Sequence, residues 1–368
     1  MAERTISFAR GAPSADILPH EAVREAAAHA LESDWEKALS YGTGRGHLGL
    51  AEWIAEMHGV DPARVMVTNG SLEAGAMLFR FLLDRGDQVV VEQPSYDRTL
   101  LLLERLGADR IGVPLEEDGV DVEAVAEVTA GRDIRLVHVI PNFHNPAGCT
   151  LSAEKRLRLV SLAGERGFNL FEDDPYRLIS FGDDPPPTML EQDERDRVVH
   201  ASSFSKTVAP GIRVGYLIGP KDEIAALAKI ANEQYISPSM LAESIVWELC
   251  RSGALERNLE TVNAALRERR DALVGALREH IPEAEFVVPA GGYFLWLDLK
   301  DDVDTKALLA QAKDEGVTFV AGPDFMLEGG TNSLRLSFAP VPAGDVAEGV
   351  ERLARALERT REGAPIRS

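Results

Sequence analysis

HASSFSKTVAPGIRVG, residues 200–215, lies between two short apolar runs and decides the fold. These runs belong to a series in which short apolar segments alternate with amphipathic helical stretches, from Val65 to about Ile218. This βαβ rhythm predicts an α/β fold whose large domain is a mainly parallel seven-stranded sheet covered by helices. The predicted strands are Val65–Thr68, Gln88–Glu92, Asp109–Val113, Leu136–Ile140, Asn169–Glu172, Val198–Ala201 and Val214–Ile218.

Lys206 follows one of these predicted strands and is surrounded by residues that suit a phosphate group. Ser203 and Ser205 are small hydroxyl donors, and Arg213 carries a planar fork that matches a phosphate dianion. In open α/β sheets, ligands bind at the carboxyl ends of the strands. A lysine beside a phosphate-binding group suggests a cofactor that is a phosphorylated aldehyde.

The C-terminal part of the chain predicts a second, smaller lobe. A chain of 368 residues is long enough for two lobes. After a long helical region at about Ser239–His280, strand and helix patterns alternate, which indicates a smaller α+β domain. Its predicted strands are Phe286–Val288, Tyr293–Leu299, Thr318–Ala321 and Ser333–Phe338, its predicted helices are Thr305–Glu315 and Ala343–Arg359, and a frayed end is expected at Gly363–Ser368.

Charge and cysteine content exclude several classes of protein. Sixty acidic residues against 39 Lys and Arg give a net charge of −21, so neither nucleic acid nor a membrane is expected as a partner. Cys149 and Cys250 lack a CxxC spacing, which excludes a disulfide framework and a zinc ribbon. The sequence has no apolar leader and no long apolar run, so a cytoplasmic location is expected.

The segment SSFSKTVAPGIRVGY, residues 202–216, resembles the lysine signature of fold-type-I aminotransferases, in the subgroup of aminoadipate, kynurenine and aromatic aminotransferases. The resemblance implies that Lys206 carries pyridoxal 5'-phosphate as a Schiff base. It also implies that Ser203, Ser205 and Arg213 anchor the phosphate of this cofactor. The resemblance covers about residues 5–358 and rests on the order of the motifs as well as on their content.

Glu172-Asp-Asp-Pro-Tyr176 is similar to the family motif in which an acidic residue precedes a tyrosine by three positions. The resemblance places Asp173 at the pyridine nitrogen and Tyr176 at the phenolic oxygen of the cofactor. A carboxylate beside the ring nitrogen keeps it protonated, and a pyridinium accepts the electrons released when a bond to Cα breaks. In isolation, Asp173 would be interpreted as part of a strand-end turn.

Asn145 lies in Pro141-Asn-Phe-His-Asn-Pro-Ala-Gly148, which resembles the family's asparagine–proline–x–glycine loop. The resemblance implies that the Asn145 amide donates to the phenolic oxygen of the cofactor and lies beside the substrate. His144 in the same loop could indicate a metal ligand. No second ligand lies at a useful spacing, so no metal site is expected.

Two further strand ends carry cofactor-binding candidates. Gly70 and Ser71 end a strand and open a helix, whose amide groups can hold a phosphate at the positive helix end. The family more often has glutamine where Leu72 and Glu73 stand, which removes possible side-chain donors. Tyr96 matches the family's aromatic residue that stacks on the pyridine ring; alone, it would be interpreted as a half-buried tyrosine.

Arg335 lies within the alternating pattern of Ser333–Phe338, where a charge is costly unless it binds something or reaches solvent. It resembles the family arginine that binds the α-carboxylate of the substrate through two hydrogen bonds. The alternative is an arginine on the exposed face of the strand.

The N-terminal segment carries the last candidates. Gly11 resembles part of a glycine–x–proline segment that closes over the substrate, and Arg10 before it meets either an acidic substrate side chain or solvent. Tyr41 resembles a tyrosine that reaches the cofactor phosphate of the neighbouring subunit, which implies a homodimer with shared active sites. Gly44–Gly49 also matches GxGxxG, but no strand precedes it, so no dinucleotide site is expected.

The predicted organisation has three parts: an N-terminal segment, 1–45, that joins the small domain and the active site, a large cofactor-binding domain, 46–260, and a small C-terminal domain, 261–368. The predicted activity is transfer of an amino group from an α-amino acid to a 2-oxo acid, with Lys206 moving the proton of Cα. A lyase or cyclase acting on an amino acid is the main alternative, because the same carbanion can eliminate a leaving group. A ligand-sensing domain of a transcription regulator is a remote alternative.

Overall fold

The structure, a computed structural model, describes residues 4–300 and 302–363. From residue 364 onward, the predicted frayed end lies outside the described residues. The described residues form thirteen strands in three sheets. The strands are β1 Ile6–Ser7, β2 Val65–Thr68, β3 Gln88–Gln93, β4 Asp109–Glu116, β5 Gly119–Val120, β6 Ile134–Val139, β7 Asn169–Asp173, β8 Val198–Ser203, β9 Gly215–Ile218, β10 Phe294–Asp298, β11 Val317–Thr318, β12 Val320–Ala321 and β13 Ser333–Ser337.

The described residues form twelve α-helices. In the predicted long helical region, the chain forms two helices that separate at Gly253, whose φ is +69°. The helices are α1 His20–Ser33, α2 Trp35–Leu39, α3 Leu48–His58, α4 Ser71–Leu82, α5 Asp97–Leu106, α6 Val122–Thr129, α7 Ala153–Arg166, α8 Lys221–Tyr235, α9 Met240–Arg251, α10 Ala254–His280, α11 Thr305–Asp314 and α12 Ala343–Arg361.

The largest sheet has the strand order β2-β9-β8-β7-β6-β3-β4-β5. Strands β8, β7, β6, β3 and β4 pair in parallel, whereas β9 is antiparallel to both of its neighbours. The predicted mainly parallel sheet is therefore confirmed. Its central strands are β-branched and apolar, with Val89, Val90 and Val91 of β3 fully buried, as expected of strands that helices cover on both faces.

The sheet has eight strands rather than the predicted seven. β4 continues past its predicted end and turns back into β5, where Leu115 pairs with Val120 and Glu116 with Gly119. Gly119 has a φ of +103°, a backbone conformation that favours glycine. A two-residue strand is too short to produce a periodic signal in sequence, which is why the prediction missed it.

The smaller lobe contains two short sheets, β10-β13-β12 and β1-β11. The predicted strand Phe286–Val288 is wrong: the structure has only an isolated bridge between Glu285 and Asp298, and Pro289, which has no N–H, follows directly. The predicted strand Thr318–Ala321 divides in two around buried Phe319, with one half paired to β1 and the other to β13.

The N-terminal segment packs into the apolar core of the smaller lobe. Ile6 and Phe8 belong to the same buried cluster as Leu295, Leu336 and Leu353. Segment 6–8 thereby brings the residues that follow it to the edge of the large sheet. Among the residues described, no helix is both long and apolar enough to cross a bilayer. The predicted boundaries at 46 and 261 stay a prediction.

Candidate active site

One cavity of about 550 Å³ opens at the carboxyl ends of β3, β6, β7 and β8. Ligands of open α/β sheets bind at this edge. Eleven of the fourteen residues that the sequence singles out line this cavity, although they come from every part of the chain. They are Gly11, Ser71, Tyr96, Asn145, Asp173, Tyr176, Ser203, Ser205, Lys206, Arg213 and Arg335.

Lys206 extends into the middle of the cavity. Its ammonium group donates to the carbonyl oxygen of Gly11 at 2.8 Å and lies 5.5 Å and 5.4 Å from the ring centres of Tyr176 and Tyr293. Burial, together with the charges of Arg335 and Arg213, lowers the pKa of Lys206 to about 8. A lysine in this range supplies a neutral amine near physiological pH, which suits a nucleophile or a general base.

A turn that carries hydroxyl groups, backbone amides and one arginine forms the first end of the cavity. Arg213 donates from Nη1 to Ser205 Oγ at 2.9 Å and from Nη2 to the Asn69 carbonyl at 3.1 Å. Ser203 Oγ accepts from the Ser205 amide at 3.1 Å. This cluster has the donors that a phosphate requires.

Gly70 shapes this turn, because its φ of +100° is unfavourable for other residues and an added Cβ would collide with the Arg213 guanidinium. The helix α4 begins at the next residue, Ser71, with no side chain capping its first amides. The Glu73 carboxylate accepts from the Asn69 amide at 2.8 Å, and Glu73 does not line the cavity. The first amides of α4 therefore remain available to an anion.

Asp173 ends β7 with its side chain in the cavity. Its Oδ2 lies 3.7 Å from Nε2 of His138, and its Oδ1 is buried without a hydrogen bond to any described residue. His138 is fully buried in β6, and neither of its ring nitrogens has a described hydrogen-bond partner. Sequence reasoning missed His138, although a histidine within the apolar run Leu136–Ile140 is itself a signal.

Glu172 and Asp174 flank Asp173, and their fully buried side chains make contacts of their own. Glu172 Oε2 lies 2.9 Å from His200 Nδ1; burial raises the pKa of Glu172, but this histidine and backbone donors bring it below its usual value. Asp174 accepts from Asn142 Nδ2 at 2.6 Å, and burial raises its pKa to about 6. Of the three acids, Asp173 is the one that lines the cavity.

Arg335 forms the second end of the cavity. Its Nη1 donates to Asn145 Oδ1 at 2.9 Å and its Nη2 to the Ala9 carbonyl at 2.8 Å. The guanidinium lies 4.3 Å and 4.8 Å from the ring centres of Phe294 and Phe325, and Nε is buried without a described partner. Burial lowers the pKa of Arg335, which is 6% exposed. A buried cation without a carboxylate among its described partners suits an anionic ligand.

Two tyrosines form the walls between these ends. Tyr96 follows the cis peptide bond Gln93–Pro94, and burial raises its pKa to about 12. Tyr176 is buried edge-on against Tyr293 and Phe294, and this burial raises its pKa well above the usual value. Both hydroxyl groups are therefore protonated at neutral pH and can donate to a ligand.

Three predicted residues do not line the cavity. Gly70 lies directly beside it, against Arg213. Tyr41 is 83% exposed, and Arg10 is exposed as well. Within one chain, the fold therefore does not bring Tyr41 or Arg10 to the cavity.

Sequence reasoning also missed Tyr293, which it treated only as the start of a strand. The Tyr293 hydroxyl donates to the Lys206 carbonyl at 2.7 Å, and the ring packs against the side chain of the same lysine. The available signal was the pair Gly291-Gly292 directly before it, because two glycines allow close backbone approach. No cluster of three or more potential metal ligands occurs among the residues that the structure describes.

Residues 3–353 match the family model of class I and II aminotransferases. The chain is 36% identical to a 2-aminoadipate transaminase of Thermus thermophilus, with 96% of this chain and 90% of the relative covered. It is 32% identical to aromatic-amino-acid aminotransferase 1 of Thermococcus litoralis, over 96% of this chain and 88% of the relative.

A solved structure extends the likeness to three dimensions. The α-aminoadipate aminotransferase of Thermus thermophilus, complexed with N-(5'-phosphopyridoxyl)-L-leucine, superposes with a TM-score of 0.93 at 34% sequence identity. The match covers 98% of this chain and 94% of that one. Fold and sequence therefore agree over almost the whole length.

Proposed function

This chain belongs to the class I and II aminotransferases, and we propose how its residues carry out the transfer of an amino group from an α-amino acid to a 2-oxo acid. The family cofactor, pyridoxal 5'-phosphate, when bound supplies the electron sink for the bond broken at Cα. One observation carries the proposal: the amine of Lys206, the carboxylate of Asp173 and the two guanidinium groups of Arg213 and Arg335 share one cavity. Two anion sites on either side of a reactive amine suit a phosphate at one end and a substrate carboxylate at the other.

The polar groups that line the cavity match the polar groups of the cofactor. The Oδ1 atom of Asp173, which is buried without a hydrogen-bond partner among the described residues, would accept from a protonated ring nitrogen, and His138 lies 3.7 Å from the other carboxylate oxygen. Tyr96, which lines the cavity, would stack on the cofactor ring. At the phosphate end, the free amides of α4 after Gly70, together with the hydroxyl of Ser71, offer several donors. Ser203, Ser205 and Arg213 complete this set, with Ser203 holding the Ser205 backbone.

Lys206 is the attachment point and the proton carrier in this proposal. Its lowered pKa supports the removal of a proton from the substrate Cα by the neutral amine. Asn145 and Tyr176, which both line the cavity, would donate hydrogen bonds to the phenolic oxygen of the cofactor. The Oδ1 atom of Asn145 accepts from Arg335, which leaves its amide nitrogen as the group that can donate to a ligand.

Arg335 binds the α-carboxylate in this proposal. A substrate carboxylate would replace the Ala9 carbonyl as a partner of its guanidinium and provide the charge that the buried site lacks. The carbonyl of Gly11 accepts from the Lys206 ammonium, so segment 9–11 contacts both Lys206 and Arg335. Arg10, which is exposed between Ala9 and Gly11, stays a prediction as a contact for an acidic substrate side chain.

We also propose a homodimer that shares its active sites and works in the cytoplasm. Large apolar side chains of Trp35, Leu39, Tyr41 and Leu48 are 54%, 65%, 83% and 56% exposed. Such a concentration on α2, α3 and the connection between them is typical of a surface that another subunit covers. In this arrangement Tyr41 would reach the cofactor phosphate of the neighbouring subunit. Both cysteines are free and buried, which suits a reducing compartment.

The activity is tested by mixing purified protein, loaded with cofactor, with single amino acids in the absence of a 2-oxo acid. We expect the absorbance of the bound cofactor to convert to that of the pyridoxamine form, and to return when a 2-oxo acid is added. A spectrum that no amino acid from a full panel changes would contradict the proposal. Release of pyruvate and ammonia without a 2-oxo acid would support the lyase instead.

A further inference from the structure

We propose that His144 and Glu92 are positioning residues, which together hold the Asn145 amide in the direction of the cofactor's phenolic oxygen. This inference rests on the proposed function of Asn145. His144 precedes Asn145 in the chain, and Glu92 lies near the end of β3, so the two residues connect neighbouring strand ends of the large sheet. Neither side chain lines the cavity.

The two ring nitrogens of His144 have different tasks. Its side chain is fully buried, and Nδ1 accepts from the Ala147 amide at 3.1 Å. A nitrogen that accepts an amide hydrogen carries no proton, so in the neutral ring the proton lies on Nε2. Nε2 then donates to Glu92 Oε2 at 3.0 Å. These contacts assign the tautomer of His144, and they connect its ring to the loop backbone at Ala147 and to the Glu92 carboxylate.

Glu92 accepts the hydrogen bond from His144 in a buried site that provides a second donor. The residue is 2% exposed, and the same Oε2 atom accepts from the Ile140 amide at 2.8 Å. Ile140 directly follows β6, so one carboxylate oxygen binds both the beginning of the loop and the histidine within it. A buried carboxylate is stable only with such donors.

The loop around Asn145 is closed by the backbone of His144. The His144 amide donates to the Cys149 carbonyl at 2.9 Å, and the Gly148 amide donates to the His144 carbonyl at 2.6 Å. Together with the bond from Ala147, three hydrogen bonds of one residue hold the turn that contains Asn145 and Pro146. The position of Asn145 therefore depends on His144, and the position of His144 depends on Glu92.

The consequence concerns the direction of one amide group. Arg335 binds Asn145 Oδ1, and Asn145 Nδ2 has no hydrogen bond recorded within the described part of the chain. Where Nδ2 points is decided by the backbone of the loop and by Arg335. Small displacements of a positioned donor cost much of its effect on a ligand. A loop without the His144–Glu92 contact would thus bind cofactor with a weaker donor at the phenolic oxygen.

The test measures the pH at which the absorbance of the bound cofactor changes, in a holoenzyme series. A hydrogen bond to the phenolic oxygen stabilises its anionic form, so losing this donor raises the midpoint. We expect N145A and H144L each to raise it, by about one pH unit for N145A and by most of that shift for H144L. H144Q should restore the wild-type midpoint, because glutamine has both a donor and an acceptor for the same two partners.

His58 offers a matched control. His58 is partly buried and lies outside the cavity, with Nε2 3.0 Å from the Tyr216 hydroxyl, so H58L removes a histidine side-chain contact elsewhere. We expect H58L to lower the melting temperature without moving the midpoint. An H144L midpoint equal to that of the wild type, with N145A shifted, would overturn the inference and leave the role of Asn145 intact. If N145A itself does not shift the midpoint, the proposed role of Asn145 fails and the inference with it.

A second variant covers the case in which H144L does not fold. H144N keeps a polar group, but its amide is too short to bridge Ala147 and Glu92 together. We expect it to raise the midpoint as H144L does, and a wild-type midpoint in H144N would overturn the inference equally.

Discussion

The two ends of the cavity each present an arginine, but the fold holds them in opposite ways. Arg213 is exposed, lies in a loop with a φ of +51°, and is held by a serine hydroxyl and by backbone carbonyl groups. Arg335 lies in a strand of the smaller lobe, 6% exposed, between two phenylalanine rings. One end is a solvent-exposed loop and the other is a buried, enclosed site.

This difference predicts unequal energetic roles. A charge in a water-excluded site interacts more strongly with its ligand than a charge near solvent does. The proposed phosphate end would spread its binding over several amides and hydroxyl groups, whereas the proposed carboxylate end would concentrate it on Arg335 and Asn145. We therefore expect the chemistry to be most sensitive between the two ends, then at Arg335, and least at Arg213.

The most severe test removes the amine between the two ends. We expect K206A to lower turnover by about three orders of magnitude or more, because the variant loses both the attachment point and the proton carrier. Steady-state assays measure the loss, while equilibrium dialysis should still find much of the cofactor bound, because the phosphate contacts remain. Activity near that of the wild type would refute the assignment of Lys206.

The second test breaks the enclosed end. We expect R335Q to lower kcat/KM for amino acids by about 100-fold, since truncating one partner of a buried charged contact costs about 2–5 kcal/mol. R335K should fall between R335Q and the wild type, because lysine keeps the charge without the fork. Amines that lack a carboxylate serve as the control substrates. If R335Q slows their reaction equally, Arg335 does not bind the carboxylate.

The third test weakens the solvent-exposed end. R213Q should raise the Kd for the cofactor by about tenfold, as expected for one charge-assisted hydrogen bond among several donors. Cofactor titration followed by absorbance gives the Kd. Pyridoxal without its phosphate is the informative comparison, since its affinity should be the same in R213Q and the wild type. A variant that weakens both ligands alike would exclude a specific phosphate contact.

The smallest expected effect is the change that each of the two arginines makes to the pKa of Lys206. In protein without cofactor, the rate at which Lys206 attaches pyridoxal phosphate should rise with pH through about 8, because the pKa of Lys206 is lowered to that value and only the neutral amine reacts. Burial is the largest cause of the lowered pKa, followed by Arg335 and then Arg213. Removing either arginine charge stabilises the protonated form of Lys206 and so raises its pKa. The pH midpoint of the attachment rate should therefore move upward, further in R335Q than in R213Q. Stopped-flow absorbance measures it, and a downward shift in either variant would contradict this ranking.

Local sequence patterns predicted the large sheet well and the small lobe less well. The seven predicted strands lie within two or three residues of those observed, because buried β-branched runs between turn residues are a strong signal. Phe286–Val288 has the composition of a strand but forms none, and only the preceding Glu285 makes a bridge, to Asp298, since pairing depends on a partner that composition does not reveal. β5 forms only because β4 is beside it.

The same limit applies to the cavity. Motifs identified Lys206, Asp173 and Arg213, whereas Tyr293 and His138 were missed because their roles consist of contacts with other elements. The sequence around His144 suggests only a possible metal ligand, because its contact with Glu92 spans 52 residues of sequence. Sequence indicates which residues have the right chemistry, but it does not reveal which of them meet.

By itself, the sequence determined the order of strands and helices, the turns at the strand ends and the residue types that those turns carry. Only the tertiary structure decided that Arg335 meets Asn145 across 190 residues, that Lys206 meets the Gly11 carbonyl across 195, and that Arg335 is buried while Arg213 is exposed. The physical reason is that periodicity and turn chemistry act between near neighbours in the chain. Burial and charge environment arise only when the cores of the two lobes pack and exclude water from the space between distant segments.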